Sequence, residues 1–236
     1  MAPKKKWLRF DLHVHSLASD GKNSAEEMIK RAKELGLDAV AITDHNIANN
    51  FSAKELSEKY GIYVISGCEL SFLIGHFIVL GVEPKIIRKV LNRYKIKRET
   101  TKNPSRKKTV KEIFKFLGKK GALIIAAHPK IPSGWMSSRG NSLLKFYNEG
   151  LIHGVENHNA ALEVKFKRRL YRIWHRLAKK FTDRFGIPPY ANTDAHKRSA
   201  LGHRFNMIKL DDPSKLIKIL KEGRVEIRHG TRSNLD

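Results

Sequence analysis

Cysteine is all but missing: Cys68 is the single one among 236 residues, so no disulfide can form within the chain and none of the fold depends on one. Long apolar runs are missing too. None reaches the roughly 18 to 20 residues that span a bilayer, so neither a transmembrane helix nor a membrane partner is expected. The basic opening Met1-Ala2-Pro3-Lys4-Lys5-Lys6 passes straight into Trp7-Leu8-Arg9-Phe10 and a polar motif, without the apolar core of a secretory signal. The expected location is therefore the cytoplasm. Acids are scarce, with 23 Asp and Glu against 47 Lys and Arg and a formal net charge of +24. Such a surface attracts polyanions, among them nucleic acid and phosphorylated metabolites, and it also suits plain solubility. No internal repeat or low-complexity segment interrupts the chain. At this length, with 41% hydrophobic residues, one substantial core is expected, in a single domain over residues 1–236.

What is present is an alternation of short apolar runs with amphipathic stretches. Leu8 to His15 reads as a strand and Ser24 to Leu35 as a helix, with Ser24 as N-cap and Glu27 completing a capping box. Further strands are expected at Ala39–Thr43, Ile62–Ser66, Phe72–Leu80 (broken by Gly75), Ala122–Ala126, Gly154–Glu156, Pro189–Asn192, Phe205–Ile208 and Val225–Arg228. Helices are expected around Ser52–Tyr60, Val110–Leu117, Ala161–Phe185 and Ser214–Lys221. This alternation argues for an α/β fold with a mainly parallel sheet, and the number of strands favours closure into a barrel. The stretch from Lys85 to Lys120 carries about fifteen Lys and Arg against Glu99 and Glu112 alone. Its middle, Lys102 to Lys108, reads as a loop, and the basic segment at about 85–120 is the best candidate for an inserted or mobile polyanion-binding segment; a solvated basic loop without a partner is the alternative.

The chemistry lies at the strand ends. His13 and His15 sit two apart on the first strand, where alternate side chains share a face. Asp11 precedes them on that face and Asp20 follows in a short loop. Asp44-His45 ends the second strand, Glu69 follows the third, His76 opens the next run, His128 ends another, and Asp194-Ala195-His196 follows the strand near Tyr190. In a barrel the C-terminal strand ends share one face, so these distant residues converge. Imidazoles mixed with carboxylates suit divalent metal, and a carboxylate such as Glu69 can bridge two ions. Each residue alone is a weak signal, since a His-x-His pair is more often structural. Five further strand ends carrying His, Asp or Glu make the set a strong one.

At these residues the sequence resembles the PHP (polymerase and histidinol phosphatase) superfamily, through Asp11-Leu12-His13-Val14-His15 with Asp20, Thr43-Asp44-His45, Glu69 with His76, His128-Pro129 and Asp194-Ala195-His196. The likeness runs from about residue 8 to 202. It implies a distorted (β/α)7 barrel, a trinuclear centre of Zn, Mn or Fe, and hydrolysis of phosphate esters. By the same resemblance one ion falls to His13, His15, Glu69 and Asp194, a second to Glu69, His76 and His128, and a third to Asp20, His45 and His196. Asp11 and Asp44 are expected to orient imidazoles, with a turn or cap role as the alternative. Arg139 and Arg198 are candidates to hold a substrate phosphate. Trp135 is a candidate stacking residue or loop anchor, and Asn157 and His158 are candidates for the pocket lining. His153, His175, His203 and His229 read as structural or surface groups, and Tyr171, Trp174 and Phe181 as core. The charge balance leans the substrate toward nucleotides or single-stranded nucleic acid. The alternatives are a small phosphomonoester of the histidinol-phosphatase type, or a non-catalytic nucleic-acid-binding protein.

Overall fold

In the computed structural model, residues 6–97, 107–129, 138–165, 168–223, 226–231 and 233 are described. The apolar runs form strands β1 (Trp7–Val14), β2 (Ala39–Ile42), β3 (Tyr63–Phe72), β4 (Gly75–Leu80), β5 (Leu123–Ala127), β6 (Gly154–Asn159), β7 (Pro189–Asn192), β8 (Arg204–Lys209) and β9 (Arg228–Thr231). Between them lie helices α1 (Ala25–Glu34), α2 (Ala53–Tyr60), α3 (Pro84–Arg93), α4 (Lys107–Lys119), α5 (Ser138–Asn148), α6 (Ala160–Lys165), α7 (Arg168–Phe185) and α8 (Leu216–Glu222). The capping box expected at Ser24 and Glu27 is present. The basic helix expected over 161–185 is present as α6 and α7, on either side of residues 166 and 167, which lie outside the described residues; the last strand begins at Arg228 rather than at Val225, which also lies outside them.

One nine-stranded sheet runs in the order β7-β6-β5-β4-β3-β2-β1-β8-β9. It curls until β7 meets β1, where the His15 N–H donates to the Ala195 carbonyl at 2.9 Å and the Leu12 N–H to the Asn192 side chain at 3.1 Å. The result is a nearly closed, seven-stranded barrel with β8 and β9 extending from β1. The sheet is mixed rather than mainly parallel. β4 pairs antiparallel with both β3 and β5, because Leu73 and Ile74 form a tight hairpin turn where a crossover helix would otherwise stand. That hairpin is the distortion in the barrel. It also extends the third strand through Phe72, so Glu69 lies within β3 rather than after it.

Leu8, Phe10 and Leu12 of β1 join Ala41, Ile65, Ile78, Leu80 and Ile125 in the barrel interior, and Leu216 and Leu220 of α8 close its lower end. Val14 instead joins Met28 and Ile29 beneath α1. The β1–β2 register shifts between Asp11 and Val14. This irregularity turns the strand by one residue, so that His13 and His15 enter the interior layer above Leu12. Asp11 therefore does not share the face of His13, as strict alternation had suggested.

On the outer wall, His158 of β6 packs its ring against His175 of α7 at 3.8 Å and edge-on to His229 of β9 at 5.5 Å. This places His158 between elements rather than in the pocket lining. Burial, then the neighbouring imidazoles and Arg204, push the His158 pKa down to about 2, and His175 and His229 are also lowered, chiefly by burial. A histidine depressed in the folded state is neutral there while the unfolded chain takes up a proton. Its contribution is full above about pH 6.5 and is lost as the pH falls, at about 1.4 kcal/mol per pH unit for each proton. His158→Phe is expected to make the urea midpoint fall less steeply than the wild type's between pH 6.5 and 5; equal slopes would contradict this assignment.

Candidate metal centre

Glu69 organises the upper mouth of the barrel. Its side chain has 0% exposure and its two oxygens face different imidazoles. Oε1 lies 3.0 Å from His76 Nδ1 and 3.0 Å from His128 Nε2. Oε2 lies 3.1 Å from His13 Nε2, 3.2 Å from His15 Nε2 and 3.0 Å from His45 Nδ1. Asp194 adds a second carboxylate from the turn after β7, with Oδ1 3.1 Å from His15 Nε2 and 3.4 Å from His13 Nε2. Its φ of +53° is uncommon for a residue with a side chain, and it aims the carboxylate inward. Asp20 Oδ2 lies 3.2 Å from His196 Nε2 and 3.7 Å from His45 Nε2.

All nine residues expected from the sequence therefore converge. They form four overlapping groups whose donor atoms lie within 4.8 Å of one another: His15, Asp20, His45 and His196; His13, Glu69 and His128; His13, His15 and Asp194; His45, Glu69 and His76. Mixed imidazole and carboxylate donors at this spacing fit divalent cations. Exposure rises across the set. His13 and His15 are fully enclosed, whereas His196 is 34% and Asp20 52% exposed, so the group around Asp20 faces solvent.

Charge holds the cluster together. Burial alone would raise the Glu69 and Asp194 pKa values, but the surrounding imidazoles, His13 foremost, hold both below the usual carboxylate range. Burial works against protonation of His15 as well, but Asp194 and Glu69 lift it to about 9. His45, for which burial dominates, falls to about 4.

One functional residue escaped the sequence reading. Glu156 of β6 is buried, and its Oε1 lies 2.9 Å from His13 Nδ1. It also accepts the His128 backbone N–H at 2.7 Å and the Asn192 amide at 2.8 Å. A carboxylate on Nδ1 places that proton and leaves the Nε2 lone pair on the side of Glu69 and Asp194, free to ligate an ion held between them. The signal available was an acid inside an otherwise apolar strand.

The orienting role expected of Asp11 thus falls to Glu156. Asp11 accepts from the His13 and Thr193 backbone N–H groups and from the Thr193 hydroxyl, tying β1 to the turn that carries Asp194. Asp44 acts on the loop that carries Asp20, accepting from the Ser16 N–H at 2.8 Å and from the hydroxyls of Ser16 at 2.8 Å and Ser19 at 2.6 Å. Gly21 lets this loop fold back: a Cβ there would sit 2.8 Å from the His15 and Ser16 backbone. The Arg198 guanidinium pairs with Glu34 of α1 at 3.6 Å. Arg139 stands in α5, and its side chain lies outside the described residues, as do Lys102 to Arg106 and Trp135.

The PHP domain family model matches residues 11–187, and a PHP-associated model matches residues 172–225. The chain belongs to the PHP domain family. Seven of the nine convergent residues lie in the first match, and Asp194 and His196 lie in the second. Over 80 residues this PHP chain is 40% identical to the phosphoribosyl 1,2-cyclic phosphate 1,2-diphosphodiesterase of Eggerthella lenta, a stretch that covers 31% of this chain and 30% of that one. It thus spans under a third of that relative. Among solved structures, a two-domain Bacteroides vulgatus protein containing a predicted PHP-like metal-dependent phosphoesterase aligns with a TM-score of 0.66 and 19% identity, over 94% of this chain and 65% of that one. A lesion-specific endonuclease from Pyrococcus furiosus aligns with a TM-score of 0.60 and 20% identity, over 94% of this chain and 58% of that one. These structures show likeness of fold. No described helix of this PHP chain is long and apolar enough to cross a membrane.

Removing the Glu156 charge tests its placement. Glu156→Gln is expected to weaken Mn or Zn binding, measured calorimetrically, by about 10- to 100-fold while leaving the far-ultraviolet spectrum unchanged. Wild-type affinity in that variant would show that the His13–Glu156 contact does not orient the ring. Gly21→Ala is expected to weaken one ion more than the others, because it displaces the loop bearing Asp20; uniform loss across all ions would contradict the separate role of that loop.

Proposed function

We propose that this chain is a metal-dependent phosphoesterase, and that its substrate is a phosphodiester in a nucleotide or single-stranded nucleic acid. The observation that carries this is the convergence of nine imidazole and carboxylate donors around Glu69 at one barrel mouth. We assign one ion to His13, His15, Glu69 and Asp194, a second to Glu69, His76 and His128, and a third to Asp20, His45 and His196. His15 stands between the first and third groups. Zn, Mn or Fe held in this way lower the pKa of water and neutralise phosphate oxygens.

The chain's own residues perform the remaining work. Glu69, with one oxygen on each side, holds the two inner groups at a fixed separation. Glu156 fixes the His13 ring, and Asp44 anchors the loop that presents Asp20. Asp20 and His196 are the most exposed members, so the group around them is the one most open to solvent. Catalysis of this kind is chiefly positioning and charge neutralisation, since negative charge spreads over the phosphate oxygens in the transition state. The diesterase and endonuclease activities named for two of the relatives, together with the net charge of +24, support a diester in a polyanion.

A substrate panel tests this reading. Mn-loaded protein is expected to cleave bis(p-nitrophenyl) phosphate and single-stranded oligonucleotides faster than p-nitrophenyl phosphate or histidinol phosphate. His13→Ala is expected to reduce kcat by about a hundredfold or more, since it removes a donor shared by two groups. Hydrolysis of none of these esters by metal-loaded protein, or an unimpaired His13→Ala, would overturn the assignment. Faster cleavage of the monoesters would keep the enzyme class and reverse the choice of substrate.

A further inference from the structure

We propose that the groove between α4 and α5 binds single-stranded nucleic acid through its phosphates and guides the strand to the barrel mouth. It deepens the preceding reading, on which it rests for the identity of the mouth as the reaction site. The groove has a volume of about 460 Å³ and is lined by Lys107, Lys108, Lys111, Ser142, Lys145, Phe146 and Glu149. It thus holds four lysines and one acid; Glu149 pairs with Lys111 at 2.5 Å, so the groove carries Lys107, Lys108 and Lys145 beyond that pair.

Topology aims the groove at the site. α4 leads through Lys120-Gly121-Ala122 into the lower end of β5, whose upper end passes directly into His128. The first turn of α4, which holds Lys107 and Lys108, therefore lies at the level of His128. α5 descends from that same level, carrying Ser142 and then Lys145 down the groove. A chain of phosphates lying along the lysines arrives on the side of the centre where His76 and His128 stand.

The chemistry selects the ligand. A groove of about 460 Å³ has room for a short run of one strand and none for a duplex. Phe146 is 4% exposed, so its ring is not available to stack on a base. The groove therefore offers charge without base readout, which is sequence-independent recognition of the backbone. A membrane surface fits less well. The large exposed apolar residues among those described, Leu17, Leu73, Val164, Leu170, Ile173 and Phe185, all lie outside the groove, so it has no apolar group to insert.

The test is fluorescence anisotropy with labelled oligothymidylate, on metal-free and on Mn-loaded full-length protein, between 50 and 200 mM salt. The variant Lys107→Glu/Lys108→Glu/Lys145→Glu is compared with Lys30→Glu/Lys54→Glu/Lys218→Glu, which makes the same charge change on exposed positions of α1, α2 and α8. The groove variant is expected to bind at least tenfold more weakly at 50 mM salt. Its slope of log affinity against log salt should be shallower by about 2, at roughly 0.7 for each phosphate contact to a single strand. The control variant should keep the wild-type slope. Should the triple variant fail to fold by circular dichroism, Lys108→Gln/Lys145→Gln is read in the same way. Equal losses in the groove and control variants, or no binding by the wild type at 50 mM salt, would overturn the proposal. So would a groove variant that keeps the oligonucleotide but loses binding to phosphatidylserine vesicles. Because binding is read on metal-free protein, failure of the hydrolysis panel and failure of this groove are separate outcomes.

Discussion

A carboxylate with no exposure, surrounded by five imidazoles at 3.0 to 3.2 Å, is the contact on which the upper half of this barrel depends. Burying the Glu69 charge would be very costly without partners. Its partners come from β1, the ends of β2 and β5, and β4, so satisfying one side chain fixes the relative positions of four elements. The antiparallel hairpin follows from the same need. His76 reaches Glu69 because β4 folds directly back on β3, with only a two-residue turn between them.

The surrounding hydrogen bonds extend this constraint outward. Glu156 links His13 to His128 and Asn192, Asp11 links β1 to Thr193, and Asp44 links the end of β2 to the loop bearing Asp20. Together these acids tie the strand ends and the Asp20 loop around the mouth, while apolar residues fill the barrel below. The outer ring differs. There the His158, His175 and His229 rings pack against one another, and burial lowers the pKa of all three. In the mouth, carboxylates raise the pKa values of His13, His15 and His128, whereas His45, although 3.0 Å from Glu69, is lowered by burial as the outer histidines are.

Much of this was legible in the sequence. The nine donors could be read because each stands at or near the end of an apolar run, and in a barrel such ends must meet. The capping box at Ser24 and Glu27 and the run Pro189–Asn192 were equally plain, since local chemistry decides them. What could not be read depends on pairing partners. The mixed sheet follows from how β4 aligns against β5, and the facing of Asp11 follows from a register shift against β2. Glu156 is one acid in a short strand, and only its 2.9 Å approach to His13 distinguishes it. α3 went unread although Pro84 in its first turn marks a helix start, and α5 because its opening Ser138-Arg139-Gly140 reads as loop chemistry.

The central claim is that this convergence of donors exists to hold metal. The most direct measurement is the metal content of the purified full-length protein, after dialysis against metal-free buffer, by plasma mass spectrometry. The account predicts more than one tightly held divalent ion per chain, approaching three after loading with Mn. An occupancy that stays well below one ion per chain after loading would contradict it, because a buried cluster of this composition would then be held by internal proton sharing alone.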